Sequence, residues 1–83
     1  MNLEIITPEK QLFSGEIKSV KFPGTIGGFE ILNNHAPIIS TLAKGKIIVK
    51  KTNNDSLNFE INSGVIEMQK NKIIVLAGIP LMQ

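Results

Sequence analysis

Few residues of this 83-residue chain have side chains that could do chemistry. Its single histidine, His35, lies in the turn-like segment Asn33-Asn34-His35-Ala36-Pro37, and the chain contains no cysteine, tryptophan or tyrosine. A metal site needs several ligands at suitable spacing, and His35 has no second histidine or cysteine to join it. Acid–base or nucleophilic catalysis would have to use His35 or scattered carboxylates. We therefore expect a non-catalytic protein with no metal and no other cofactor, in which His35 is structural or simply exposed.

A glycine-rich stretch, Gly24-Thr25-Ile26-Gly27-Gly28, is the second feature that could do chemistry. A phosphate-binding loop follows a strand and opens a helix, whose N-terminal amides hold the anion. Here the next segment, Phe29 to Leu32, has the pattern of a strand, and no Gly-Lys-Ser or Gly-Lys-Thr sequence follows. We interpret the stretch as an ordinary flexible loop and expect no nucleotide site in this chain.

The charged residues favour no partner clearly. Nine lysines against seven acidic residues give a net charge of +2, and the chain has no arginine. One hypothesis is a small basic β-barrel that stacks single-stranded nucleic acid on its phenylalanines. Against it, the lysines are spread along the chain, and Phe59 and Phe22 are predicted to face a core. No apolar run approaches the roughly 20 residues of a membrane span, so we expect no direct membrane insertion.

The elements that must position these residues are short strands. Isoleucine and valine recur in brief runs between turn residues, and no window shows the i, i+3, i+4, i+7 spacing of an amphipathic helix. We predict an all-β fold, a two-sheet β-sandwich of about eight to ten short strands. Residues 1–83 are predicted to form a single domain, because neither a linker nor a change in composition divides them.

Some of the strands are predicted in detail. Leu57, Phe59 and Ile61 alternate with polar residues, which is the period of a strand with one face inward. Gln11 to Gly15 is predicted as a short edge piece and Glu16 to Phe22 as a separate strand. The alternation of the second piece slips at Lys18-Ser19, which predicts a β-bulge. Lys70-Asn71 is predicted to be a hairpin turn.

Several segments together, in this order and spacing, resemble the epsilon subunit of bacterial rotary ATP synthase. They are Ile6-Thr7-Pro8, Leu12-Phe13-Ser14-Gly15, Gly27 to Ile31 with His35-Ala36-Pro37, Leu42-Ala43-Lys44-Gly45, Ser63-Gly64-Val65-Ile66-Glu67-Met68, and Ile73 to Ala77. The resemblance implies the family's N-terminal β-sandwich. It also implies a mechanical task, in which the domain clamps the foot of the gamma shaft to the ring of c subunits while other chains catalyse.

The resemblance further implies two contact surfaces and a location. Contacts to the c-ring fall on the loop and strand before His-Ala-Pro, and contacts to gamma on the end of the first strand and the segment after that motif. The implied location is peripheral, on the cytoplasmic face of the bacterial plasma membrane. The implied c-ring residues are Gly27, Gly28, Phe29, Glu30 and His35, and the implied gamma residues are Thr7, Ile38, Ile39 and Ser40.

The chain departs from the family's pattern at three places. The family commonly has an acid where this chain has Gly28 and a glycine where it has Glu30. Because residues two apart in a strand share a face, we expect Glu30 to supply the ring-facing carboxylate. Asn33-Asn34 replaces the family's usual Pro-Gly in the turn. Asparagine can take the place of glycine because it tolerates the left-handed conformation. Many members continue into an inhibitory helical hairpin; no helical pattern precedes Gln83, so we expect neither hairpin-based inhibition nor ATP binding.

Overall fold

The computed structural model describes residues 1–79, and these residues form eight β-strands and no helix. The predicted all-β class and the predicted number of strands are confirmed. In chain order the strands are β1 (Asn2–Ile6), β2 (Gln11–Phe22), β3 (Phe29–Leu32), β4 (Ile38–Leu42), β5 (Gly45–Lys51), β6 (Ser56–Ile61), β7 (Ser63–Gln69) and β8 (Lys72–Gly78).

The strands form two sheets that share β2. The five-stranded sheet has the order β4-β7-β8-β1-β2, in which β1 and β8 are parallel and the other neighbours are antiparallel. The four-stranded sheet is antiparallel, and in it β2 pairs with both β3 and β5, while β6 pairs with β5. The first half of β2 belongs to the five-stranded sheet and its second half to the four-stranded one.

The shared strand corrects one prediction and confirms another. Gln11 to Gly15 is not a separate edge piece, because Ser14 and Gly15 continue the ladder opposite Glu4 and Leu3 and join the rest of β2. The bulge is where the sequence placed it, since the pairing of β2 with β5 shifts register between Ile17 and Ser19. A bulge bends a strand and raises its twist, which lets one strand pass from one sheet to the other.

One hydrophobic cluster lies between the sheets, and it is built from alternate residues of every strand. Ile61 is buried, and Leu57 and Phe59 are half-buried against the cluster, as the alternation of β6 predicted. Both sheets therefore share a single core. Its fully buried side chains are Leu3, Ile5, Val20, Ile31, Ile47, Val49, Ile61, Ile66, Met68, Ile73 and Val75.

Asparagine takes the left-handed conformation in several connections. Lys70 and Asn71 have φ values of 52° and 61°, the two positive angles of a type I′ turn, so the predicted hairpin is confirmed. Asn34 has φ 65°, which supports the prediction that asparagine can replace glycine there. Asn54 does the same between β5 and β6, with φ 73°.

Candidate functional site

Three of the predicted shaft contacts lie on β4, an edge strand of the five-stranded sheet. Ile38 and Ser40 are half-buried and lie opposite the buried Met68 and Ile66, so both are on the inward-facing side of the strand. Ile39 is on the outer side, with 75% of its surface exposed. Of these three residues, Ile39 is therefore the one available to a partner on the outer face.

Ile39 is part of an apolar area that continues across the neighbouring strands. Val65 on β7 and Leu76 on β8 lie directly opposite each other and are 44% and 57% exposed. Ile74 and Ile6 point the same way and are half-buried. The outer side of an antiparallel sheet is normally polar, so an apolar outer side is typical of a contact surface. We name Ile6, Ile39, Val65, Ile74 and Leu76 the apolar face.

Two carboxylates interrupt the apolar face in a single cross-strand row. Glu67 lies between Ile39 and Ile74 in the register of the sheet, and Glu4 lies on the other side of Ile74. Neither has an ion-pair partner within residues 1–79. A partner that covers this face must therefore leave these groups in water or supply donors or cations to them, because a buried unpaired carboxylate is costly.

Thr7, the fourth predicted shaft contact, is buried in the turn after β1. Its hydroxyl donates to the carbonyl oxygen of Lys10 at 2.9 Å and accepts from the N–H of Lys10 at 3.1 Å. Thr7 and Pro8 also line a shallow depression with Leu76. The Thr7 side chain thus shapes one end of the apolar face, while its hydroxyl is already hydrogen-bonded within the turn.

The predicted ring contacts lie in and after the β2–β3 connection. Gly27 has φ 146°, a conformation that a residue with a side chain rarely adopts. Gly24 is crowded, since a Cβ there would lie 2.5 Å from the Gly27 carbonyl oxygen and 2.9 Å from the Phe29 ring. Phe29 in turn packs on Phe22, with ring centroids 5.5 Å apart. The glycines are required by a compact turn, and Phe29 is held partly inside it.

This connection is hydrogen-bonded to the end of β4. The Thr25 N–H donates to the Thr41 carbonyl oxygen at 3.2 Å, and the Ala43 N–H donates to the Pro23 carbonyl oxygen at 2.7 Å. The hydroxyls of Thr25 and Thr41 are 2.8 Å apart. At the tip, the side chain of Ile26 is fully exposed. The sequence interpretation missed Ile26, although an isoleucine among glycines at a turn is an available signal of an exposed apolar group.

Gly28 and Glu30 are both exposed and lie two residues apart at the start of β3. The exposed Glu30 lies directly opposite Lys21 on β2, on the outer side of the four-stranded sheet. Gly28 precedes the strand, so the expectation that a carboxylate at position 30 faces the same side as one at position 28 stays a prediction. Whether this side meets a ring stays a prediction.

His35, the last predicted ring residue, lies past the other end of β3 from Gly27. It is exposed, and its Nδ1 donates to the Ala36 carbonyl oxygen at 2.7 Å. The preceding turn is tied to the β7–β8 hairpin, because Asn71 accepts from the Asn34 N–H and donates to the Asn33 side chain, both at 2.8 Å. The structure therefore does not bring His35 into the cluster formed by Gly27 to Glu30.

Other kinds of site find little support in the described part of the chain. Residues 1–79 contain no group of three or more histidine or acidic residues that could hold a metal ion. No helix in that range is long and apolar enough to cross a membrane. The phenylalanines pack on the protein itself, as Phe13 does on Phe59 at a centroid distance of 6.0 Å, and none of the four is an exposed stacking platform.

Comparison with known proteins gives a consistent family. Residues 1–79 match the model of the ATP synthase delta/epsilon chain β-sandwich domain. The chain is 40% identical over 74 residues to the ATP synthase epsilon chain of Chlorobium limicola and 42% to that of Chlorobaculum tepidum, covering 89% of this chain and 84% of each relative. It is 39% identical to the epsilon chain of Campylobacter curvus and spans 60% of that protein's length.

Solved structures show the same fold at low identity. The central stalk and c-ring structure of the Tetrahymena thermophila mitochondrial ATP synthase contains a chain that matches with a TM-score of 0.79 at 15% identity. The Euglena gracilis mitochondrial ATP synthase contains one that matches with a TM-score of 0.85 at 14% identity. The present chain covers 63% and 48% of those two chains.

Proposed function

The chain belongs to the family of ATP synthase delta/epsilon chains and carries that family's β-sandwich domain, and from this premise we propose that it is the epsilon subunit in the central stalk of a bacterial rotary ATP synthase. Epsilon chains are non-catalytic subunits of that enzyme. In this role the chain couples the proton-driven rotation of the c-ring to the gamma shaft during ATP synthesis. It acts as one domain, residues 1–83, at the periphery of the membrane on the cytoplasmic side.

The apolar face is the docking surface for gamma. Ile39, Val65 and Leu76 are exposed on three adjacent strands, and this single observation carries the assignment. Burying a side chain such as Leu76 contributes up to about 1.5–3 kcal/mol, so three of them contribute free energy comparable to the roughly 4–15 kcal/mol entropy cost of association, and Ile6 and Ile74 add to it. Thr7 contributes by shaping the depression beside Leu76, and Ile38 and Ser40 by holding β4 against the core.

The β2–β3 connection is the surface that meets the c-ring. Gly27, Gly28 and Glu30 are exposed there, Phe29 supports the turn from within, and Ile26 adds an exposed apolar group at the tip. Glu30 provides the carboxylate. His35 lies at the other end of β3 and marks the border of this surface rather than its centre.

The apolar face and the β2–β3 connection are joined by backbone hydrogen bonds, as expected of a domain that transmits force from one partner to another. Force applied to the β2–β3 connection reaches β4 through the hydrogen bonds of Pro23 and Thr25, and it reaches the five-stranded sheet through the continuous strand β2. Backbone hydrogen bonds in a ladder resist shear together, whereas side-chain contacts can change rotamer. The domain therefore moves as one rigid piece between its partners.

The test is a pair of matched lysine substitutions in the whole chain, assayed by co-elution with a gamma subunit on a sizing column. Leu76→Lys places a charge in the apolar face, and Ile48→Lys places one at an isoleucine, 39% exposed, on the outer side of the four-stranded sheet. We expect Leu76→Lys to weaken binding about 100-fold, corresponding to about 3 kcal/mol. Ile48→Lys should bind like the unaltered chain. Equal effects, or no complex with the unaltered chain and a folded gamma subunit, would remove the proposed function.

Ring contact is tested separately with Glu30→Gln. Loss of the carboxylate should weaken capture of the chain by purified c-rings several-fold, since a charge-assisted hydrogen bond contributes more than a neutral one. Glu60→Gln is the control. Glu60 on β6 is also exposed and also lies opposite a lysine, Lys46 on β5, but it is not part of the β2–β3 connection or of β3. Unchanged capture by Glu30→Gln would rule out Glu30 as the ring-facing carboxylate.

A further inference from the structure

A shallow depression of about 370 Å³ lies on the outer side of the four-stranded sheet, away from the apolar face. Strands β2, β3, β5 and the β5–β6 turn form its walls. Almost all the groups around it are polar or charged. They are Ser19, Lys21, Glu30, Lys50, Asn54 and Ser56.

The floor of the depression carries a hydroxyl with no partner in the protein. Ser19 is only 8% exposed, and its hydroxyl has no hydrogen-bond partner within residues 1–79. No fully buried side-chain polar atom in those residues lacks a partner, so the Ser19 hydroxyl must reach solvent, and it does so through the depression. A serine hydroxyl in this position can donate to an oxygen anion above it.

Positive charge lies on one side of this hydroxyl, and the apolar Leu32 on β3 lies opposite Ser19 on the other side. Lys50 lies directly opposite Ser19 in the ladder, and Lys21 lies opposite Ile48, so the two lysines are diagonal neighbours on one face of the sheet, within reach of a shared ligand. Neither forms an ion pair with another of residues 1–79. Lys18 donates from Nζ to Asn54 Oδ1 at 3.0 Å, which leaves the Asn54 amide nitrogen as a donor.

The charge around the depression is part of a wider asymmetry. Residues 17–61 contain six lysines and three acidic residues, whereas the rest of the chain contains three lysines and four acidic residues. The four-stranded sheet and its turns therefore hold the whole positive excess. Glu30 is the one acidic group in the wall of the depression, and it opposes an anionic ligand.

We propose that this depression binds the phosphate group of a soluble small molecule, inorganic phosphate being the simplest case. The Ser19 hydroxyl donates to one phosphate oxygen, the ammonium groups of Lys21 and Lys50 neutralise its charge, and Asn54 and Ser56 donate from the side. A phosphate suits this set of groups better than a carboxylate, because it has more acceptor oxygens and more charge for the two ammonium groups to neutralise. A nucleic acid strand fits less well, because residues 1–79 present no exposed phenylalanine to stack on its bases.

The experiment is a titration of the isotope-labelled 83-residue chain with inorganic phosphate at low ionic strength, followed by amide NMR shifts. We expect saturable shifts centred on Ser19, Lys21 and Lys50. Lys50→Gln should lower the affinity about tenfold, as expected for the loss of a charged hydrogen-bond partner. Lys72→Gln, an exposed lysine on the five-stranded sheet, should leave the affinity unchanged.

Two further variants test Ser19 at the floor of the depression and Glu30 in its wall. Ser19→Ala should lower the affinity several-fold while the spectrum stays dispersed, and Glu30→Gln should raise it. Shifts spread over lysines of both sheets, or equal affinities of Lys50→Gln and Lys72→Gln, would overturn the proposal. So would binding to phosphatidylglycerol vesicles without any response to phosphate. The result does not depend on the proposed stalk function, because no gamma subunit or c-ring is present.

Discussion

The two sheets of this domain follow the same inward pattern and differ in what they show outward. The five-stranded sheet presents Ile39, Val65 and Leu76 to solvent. The four-stranded sheet presents mainly charged side chains, with two exposed apolar residues, Ile48 and Leu32, among them. The charged residues are Lys21, Glu30, Lys46, Lys50 and Glu60. Alternation along a strand determines which residues form the core, and it leaves the outer residues free to vary. The two sheets can therefore bind different partners through their outer faces while they share one core.

The comparison predicts that inward residues of both sheets are equivalent. Ile66→Ala on β7 and Ile47→Ala on β5 each remove a fully buried side chain from the one shared core. Each should lower the free energy of unfolding by about 2–5 kcal/mol, measured by urea denaturation. Ile39→Ala, on the outer face, should change it by less than about 0.5 kcal/mol. If one of the buried pair were tolerated, the sheets would not share a single cooperative core.

A smaller effect is expected where the β2–β3 connection joins β4. Gly24→Ala would bring a methyl group within 2.5 Å of the Gly27 carbonyl oxygen, so the turn must shift. We expect a loss of about 1–3 kcal/mol in urea denaturation, as for other overpacked sites. Gly28→Ala is the control, because the nearest atom to its new methyl group would be 3.6 Å away. Equal stability of the two variants would show that the turn is loose.

The smallest effect concerns two asparagines in hairpin turns, one for each sheet. Asn71→Gly keeps the positive φ and removes two hydrogen bonds to the β3–β4 connection, so it should cost about 1–2 kcal/mol. Asn54→Gly removes one exposed hydrogen bond from Lys18 and should cost less than about 0.5 kcal/mol. Thermal unfolding of both variants checks the order. A reversed order would mean that Asn71 does not hold the two loops together.

Much of the fold followed from local patterns. The alternation of Leu57, Phe59 and Ile61 predicted a strand with one inward face, the slip at Lys18 predicted the bulge, and Asn34 took the left-handed conformation that its type permits. These features depend on residues close together in the chain, where steric preference and burial act directly.

What failed depends on pairing between distant segments. Gln11 to Gly15 was predicted as a separate edge piece, yet Ser14 and Gly15 pair with Glu4 and Leu3 and belong to the continuous strand β2. The apolar face was missed for the same reason. In the run from Ile73 to Ala77 every side chain is apolar, so only the register with β7 and β1 tells that Leu76 faces out and Val75 faces in.

The parallel pairing of β1 with β8 has a consequence for how the chain is made. Asn2 lies opposite Lys72, so β1 is synthesised well before the strand that pairs with it in the middle of the sheet. Until β8 leaves the ribosome, one edge of β1 is open to other chains. Long-range pairing of this kind also slows folding, since the chain entropy is lost before the contacts form. The five-stranded sheet is thus expected to close late, only after β8 has been synthesised.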